Sequence, residues 1–102
     1  MFNLKRGIAL LGTNGLPLTT EDGKPFSYGE ACRRAVVSNH EGDSRETIEH
    51  KMKRWELFKK LSPNGDETVT LNAEETVLLK ERLHLSYGPL ILGQIVDSLE
   101  GK

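Results

Sequence analysis

A chain of 102 residues with 14 basic side chains, 15 acidic ones and one cysteine is sized for a single domain, 1–102, and can close no internal disulfide. The apolar run Ile8–Leu11 stops at Gly12, short of the roughly 7 to 15 residues of an export signal, and no stretch approaches the roughly 20 apolar residues of a membrane span. The expectation is a soluble, cytoplasmic protein that makes no membrane contact.

Residues 1–26 carry Asn14-Gly15, Asp22-Gly23, Pro17 and Pro25, which favour turns over helix. Only short apolar pieces separate them. They read as an extended arm able to form a small β-hairpin, and a lone two-stranded ribbon is marginal, so the arm must lie against the helices. No internal repeat is apparent.

Ser27 followed by Glu30 has the form of a capping box and starts a first helix over 28–38, with Tyr28, Ala31, Cys32, Ala35 and Val36 on one face. A polar loop from Ser38 to Asp43 follows. A second and longest helix is predicted over 44–61, its buried stripe formed by Ile48, Met52, Trp55 and Phe58, with Leu57 pointing away from that stripe. Pro63, Asn64 and Gly65 should end it. The β-prone Thr68–Leu71 is a short strand able to pair with the arm. Asn72 and Glu75 repeat the capping logic for a helix over 73–85, and Gly88-Pro89 opens another over 89–99. The fold class is therefore mainly α, a compact four-helix domain with an N-terminal arm. Its expected core contains Ala35, Val36, Ile48, Met52, Trp55, Leu79, Leu83, Ile95 and Leu99.

Chemistry-bearing motifs are scarce. His40, His50, His84 and Cys32 match no metal spacing, and Glu81 with His84 is one half of one ligand set of a di-iron bundle without its second pair. Cys32 falls on the apolar stripe beside alanines, where a cysteine behaves as a small hydrophobe. No nucleophile elbow, phosphate loop or dinucleotide fingerprint occurs. Neither a catalytic residue, nor a metal, nor a cofactor is expected, and the protein reads as nonenzymatic.

The charge distribution is uneven: residues 43–63 carry six basic and four acidic side chains, whereas residues 64–102 carry three and seven. Such a dipole suits steering toward a partner or a second copy more than wholesale binding of a phosphate backbone. The helix 44–61 concentrates Lys51, Lys53, Arg54, Lys59 and Lys60, a candidate partner-binding set whose alternative target is nucleic acid or a nucleic-acid enzyme. The turn before Pro89 resembles a helix-turn-helix, but Pro89-Leu90-Ile91-Leu92 offers no side chain that reads base edges. Leu57, Leu90 and Gly93 are left off the buried stripes and form a candidate self-association set for a homodimer.

The run Leu18–Ala31, the Lys53-Arg54-Trp55 pattern, Leu71–Glu75 and Tyr87–Gln94 together resemble small proteins encoded by tailed bacteriophages and prophages. The resemblance spans nearly the whole chain. It implies a fold and a biological context, the host cytoplasm, and no established activity. The expectation is a phage or prophage accessory protein that works by protein–protein association with itself, a phage component or a host target.

Overall fold

The computed structural model describes residues 2–61 and 68–101, with strands β1 (Phe2–Lys5) and β2 (Thr68–Leu71) and helices α1 (Tyr28–Val37), α2 (Ile48–Lys60), α3 (Ala73–Ser86) and α4 (Pro89–Leu99). The predicted stop at Pro63, Asn64 and Gly65 lies outside the described residues.

Side-chain caps set the helix starts. Asn72 and Glu75 form a complete capping box, with the Glu75 amide donating to Asn72 Oδ1 at 2.8 Å and the Asn72 amide to Glu75 Oε1 at 3.0 Å. Pro89 occupies the start of α4. At α1 the box is only half formed. Ser27 Oγ accepts from the Glu30 amide at 3.2 Å, but the Glu30 carboxylate turns forward and takes the Arg34 Nε–H at 2.9 Å. The second helix is shorter than its predicted span from Ser44, because Glu41–Arg45 forms a separate 3-10 turn and Thr47 caps α2.

β1 and β2 pair antiparallel, from Phe2 opposite Leu71 to Lys5 opposite Thr68, so Leu4 and Leu71 both enter the core. α1 packs against α2 and α3, and α4 against β1. Ala35, Val36, Leu79, Leu83, Ile95 and Leu99 are buried as the periodicity requires, joined by Leu10, Leu57 and Leu61.

The arm pairs more widely than a single hairpin, and it contains a repeat. Leu10–Pro17 and Leu18–Pro25 are two eight-residue units that share Leu at the first position, Asn or Asp then Gly at the fifth and sixth, and Pro at the eighth. Each unit closes the same turn: the Gly12 amide donates to Leu16 O at 2.8 Å, and the Thr20 amide to Lys24 O at 2.7 Å. Gly15 and Gly23 sit at the matching corners with φ of 77° and 80°, a conformation that glycine adopts without strain. The units stack into a closed cycle in which Leu10 N–H donates to Phe26 O, Phe26 N–H to Leu18 O, and Leu18 N–H to Leu10 O. Gln94 fastens this cycle to α4, its amide group both accepting from and donating to the Leu11 backbone, at 2.9 and 2.8 Å.

The largest departure from the sequence reading is the orientation of α2. Ile48 is 81% exposed, and Met52 and Trp55 are each about half exposed, whereas Leu57 is 1% exposed. Three of the four residues of the expected core stripe face outward, and Phe58 alone of them packs against the core. What holds the helix in this sense is Arg54, only 7% exposed, which donates from Nε to Val36 O at 2.8 Å and from Nη2 to Ser38 O at 2.7 Å. These carbonyls stand at the end of α1, where intrahelical partners run out. Leu57 and Leu61, which follow Arg54 along the chain, are buried in the core.

Candidate functional site

The outward face of α2 follows from that orientation. Ile48, Met52 and Trp55 succeed one another along it at spacings of four and three, which brings them to one side of the cylinder. The Trp55 ring stacks on Phe58 with centroids 5.7 Å apart, and Lys59 Nζ stands 5.9 Å from the Trp55 centroid. Beside this stripe runs a groove of about 580 Å³ between α2 and α3. Its apolar floor is Ile48, Met52, Leu57 and Leu78, and Glu49, Glu56, Glu74 and Glu75 border it together with Lys53. Val77 is exposed on α3 close by and lines a smaller hollow that shares Lys53, Glu74 and Leu78.

The five basic residues expected to form one partner-binding set do not form one. Arg54 is internal, as described, because its guanidinium satisfies carbonyls of the core. Lys53 pairs with Glu74 at 2.7 Å, Lys59 with Glu56 at 3.0 Å and Lys60 with Glu75 at 2.8 Å. The neighbouring carboxylates hold Lys53 above its ordinary pKa, through the hydrogen bond Lys53 donates to Glu74 first and the Glu74 charge second. Lys51 is exposed and makes no ion pair among the described residues. The self-association set is likewise divided. Leu57 is core and unavailable to a partner, since the same rotation of α2 that exposes Ile48 turns Leu57 inward, whereas Leu90 and Gly93 remain exposed on α4.

Sequence reasoning passed over a buried polar cluster behind α2. Arg82, 1% exposed, makes a two-pronged bond to Asp43, with Nη1 to Oδ1 and Nη2 to Oδ2 both at 2.8 Å, and also donates to Ser38 O. Glu46 accepts from Arg54 Nη1 at 2.7 Å and meets His50 Nδ1. The hydrogen bonds from Arg82 hold the Asp43 carboxyl well below the usual carboxylate range. At Glu46 burial pushes the pKa up, but His50 and Arg54 outweigh it and the net shift is downward. Each anion is matched by a guanidinium, so the cluster joins the end of α1, the 3-10 turn, α2 and α3. Its residue types are ordinary in a helical sequence, and only their burial distinguishes them.

Nucleophilic and metal chemistry find little support in the geometry. Cys32 is buried, and burial pushes its thiol up to about 12, far from a reactive thiolate. His40 Nε2 meets Ser86 Oγ at 3.1 Å, His50 meets Glu46 and His84 is exposed, so the histidines do not converge. Among the described residues no group of three or more His, Cys, Asp or Glu side chains is placed to hold a metal, and no helix is long and apolar enough to cross a membrane.

Comparison with protein-family models, curated proteins and solved structures finds no match to this chain.

Proposed function

We propose that the protein is a nonenzymatic association module that binds protein through the outward face of α2. The observation that carries this reading is the exposure of Ile48, Met52 and Trp55 in one line beside an apolar-floored groove. Burying a large apolar side chain gains about 1.5 to 3 kcal/mol, so covering this line supplies a driving force that leaving it in water forgoes. Aromatic residues and methionine are also the types enriched where proteins meet. Together with the likeness to small tailed-phage and prophage proteins, the reading is that of an accessory protein.

Binding of nucleic acid through the same helix has weaker support. Lys53, Lys59 and Lys60 are already matched by carboxylates and Arg54 is internal, which leaves little uncompensated positive charge to displace counterions from a phosphate backbone.

A photo-crosslinking residue placed at position 52, with a control at position 14 on the exposed Asn14-Gly15 turn, tests the reading in cells. Protein adducts are expected at 52 and not at 14. Nucleic-acid adducts at 52, or protein adducts in equal yield at both positions, overturn it.

A further inference from the structure

We propose that the occupant of the outward α2 face is a second copy of this chain, docked with the two α2 helices parallel about a two-fold axis. The inference rests on reading that face as a protein-binding surface and names what covers it. Ile48 and Trp55 stand one heptad apart with Met52 between them, the d–a–d order of a coiled-coil seam. Lys59 continues the a series at the far end, its ammonium already drawn over Trp55.

The residues flanking the seam decide the orientation. Glu49 and Glu56 occupy the e positions on one side, and Lys51 the g position on the other. In a parallel pair, the g side of one helix meets the e side of its neighbour in the following heptad, so Lys51 faces the partner's Glu56. By symmetry the contact is made twice. An antiparallel pair instead sets like flank against like flank, Lys51 toward the partner's Lys51 and glutamates toward glutamates.

Charge complementarity extends beyond this one pair. The groove lies on the e side, and of the four glutamates that border it Glu74 and Glu75 are already held by Lys53 and Lys60, so a cation arriving from the partner meets Glu49 and the exposed Glu56. Lys51 is the α2 lysine without an ion pair among the described residues. The Glu56–Lys59 pair that must share its carboxylate is exposed on both sides, 62% and 50%, and such pairs exchange readily.

Sedimentation of the full chain from micromolar to millimolar concentration tests the proposal with four samples. Wild-type protein should dimerise, and Lys51→Glu and Glu56→Lys should each weaken its dimer about tenfold through like charges facing one another. Mixing the two variants restores opposite charges at both contacts, and the heterodimer should recover wild-type affinity to within about threefold. That recovery also shows that both variants fold. Met52→Asp should be monomeric with unchanged circular dichroism, since the side chain it replaces is half exposed. A wild-type chain that stays monomeric at millimolar concentration overturns the second-copy occupant, and leaves the broader reading to the crosslinking at position 52. Variants that dimerise like wild type, or fail to recover on mixing, overturn the parallel arrangement, and a dimer that survives Met52→Asp overturns the surface.

Discussion

The guanidinium groups of Arg54 and Arg82, one from α2 and one from α3, converge on a single acceptor, the Ser38 carbonyl just past the end of α1. Each also carries its own carboxylate, Glu46 for Arg54 and Asp43 for Arg82. Removing one cation therefore leaves a largely buried anion without its guanidinium, while the Ser38 carbonyl keeps the other donor. Arg54→Ala and Arg82→Ala are each expected to lower the unfolding free energy by about 3 to 5 kcal/mol in urea titration. Arg82→Lys should recover little, because an ammonium cannot reproduce the fork on Asp43. Asp43→Ala added to Arg82→Ala should cost less than the sum of the two single changes, a coupling that a thermodynamic cycle reads directly.

The same cluster fixes the sign of the acid response. Asp43 and Glu46 both have folded-state pKa values below their unfolded ones, so the stability they contribute is fully present above the ordinary carboxylate range near 4 and is lost as the pH falls below it. Denaturation midpoints measured between pH 7 and about pH 2 should fall steadily on the acid side of that range. In Asp43→Asn the acid limb should be shallower than in wild type. An unchanged slope would show that the Asp43–Arg82 pair does not differ in protonation between the folded and unfolded chain.

Leu57 and Ile48 provide the sharpest test of which way α2 faces. Leu57→Ala opens a cavity in the core and should cost about 2 to 5 kcal/mol, whereas Ile48→Ala on the solvent side should change stability by less than about 1 kcal/mol. The reverse order would restore the orientation expected from the sequence. That expectation failed for a definite reason. The spacing of Ile48, Met52 and Trp55 marks a helical stripe correctly, but periodicity does not say whether the stripe meets the core or a partner. The choice is made by Arg54, whose acceptors Val36, Ser38 and Glu46 come from segments that no local pattern links to it.

Two helical glycines should respond to alanine with opposite signs. At Gly29 in α1 an added Cβ would lie 2.9 Å from Arg6 Cβ and 3.2 Å from Arg6 O, so the backbone of the arm must yield and the substitution should destabilise. Gly93 in α4 has nothing within 4 Å of the same position, and alanine there should stabilise by about 0.5 to 1 kcal/mol through helix propensity alone. Thermal melts of the two variants decide both cases. A loss of stability at Gly93 on dilution of the wild-type chain but not of the variant would instead mark that position as part of a contact between copies.

The parts of the fold governed by local chemistry were legible in the sequence. The caps at Ser27 and Asn72, the Pro89 start and the β-prone Thr68–Leu71 all have their expected elements. The arm was less legible because its repeat is written in turn residues. Asn14-Gly15-Leu16-Pro17 and Asp22-Gly23-Lys24-Pro25 share backbone requirements rather than an apolar pattern, and the position between Gly and Pro can be Leu or Lys because only its backbone carbonyl serves the turn and its side chain is exposed. The outward α2 face was visible as a stripe, and its role as surface followed only from the buried Arg54.

The pairing of Phe2 with Leu71 has a consequence for the order in which the chain is built. A ribosome releases the arm before the helices, and the cycle through Leu10, Leu18 and Phe26 draws every one of its hydrogen bonds from within those few residues. It can close while most of the protein is still unmade. β1 precedes it in the chain yet finds its strand partner in β2, far downstream, so β1 is made before the cycle and settles after it. Until Thr68–Leu71 arrives, a finished knot of backbone carries a loose leading strand, and a young chain is exposed to wrong pairing at that edge rather than at its helices.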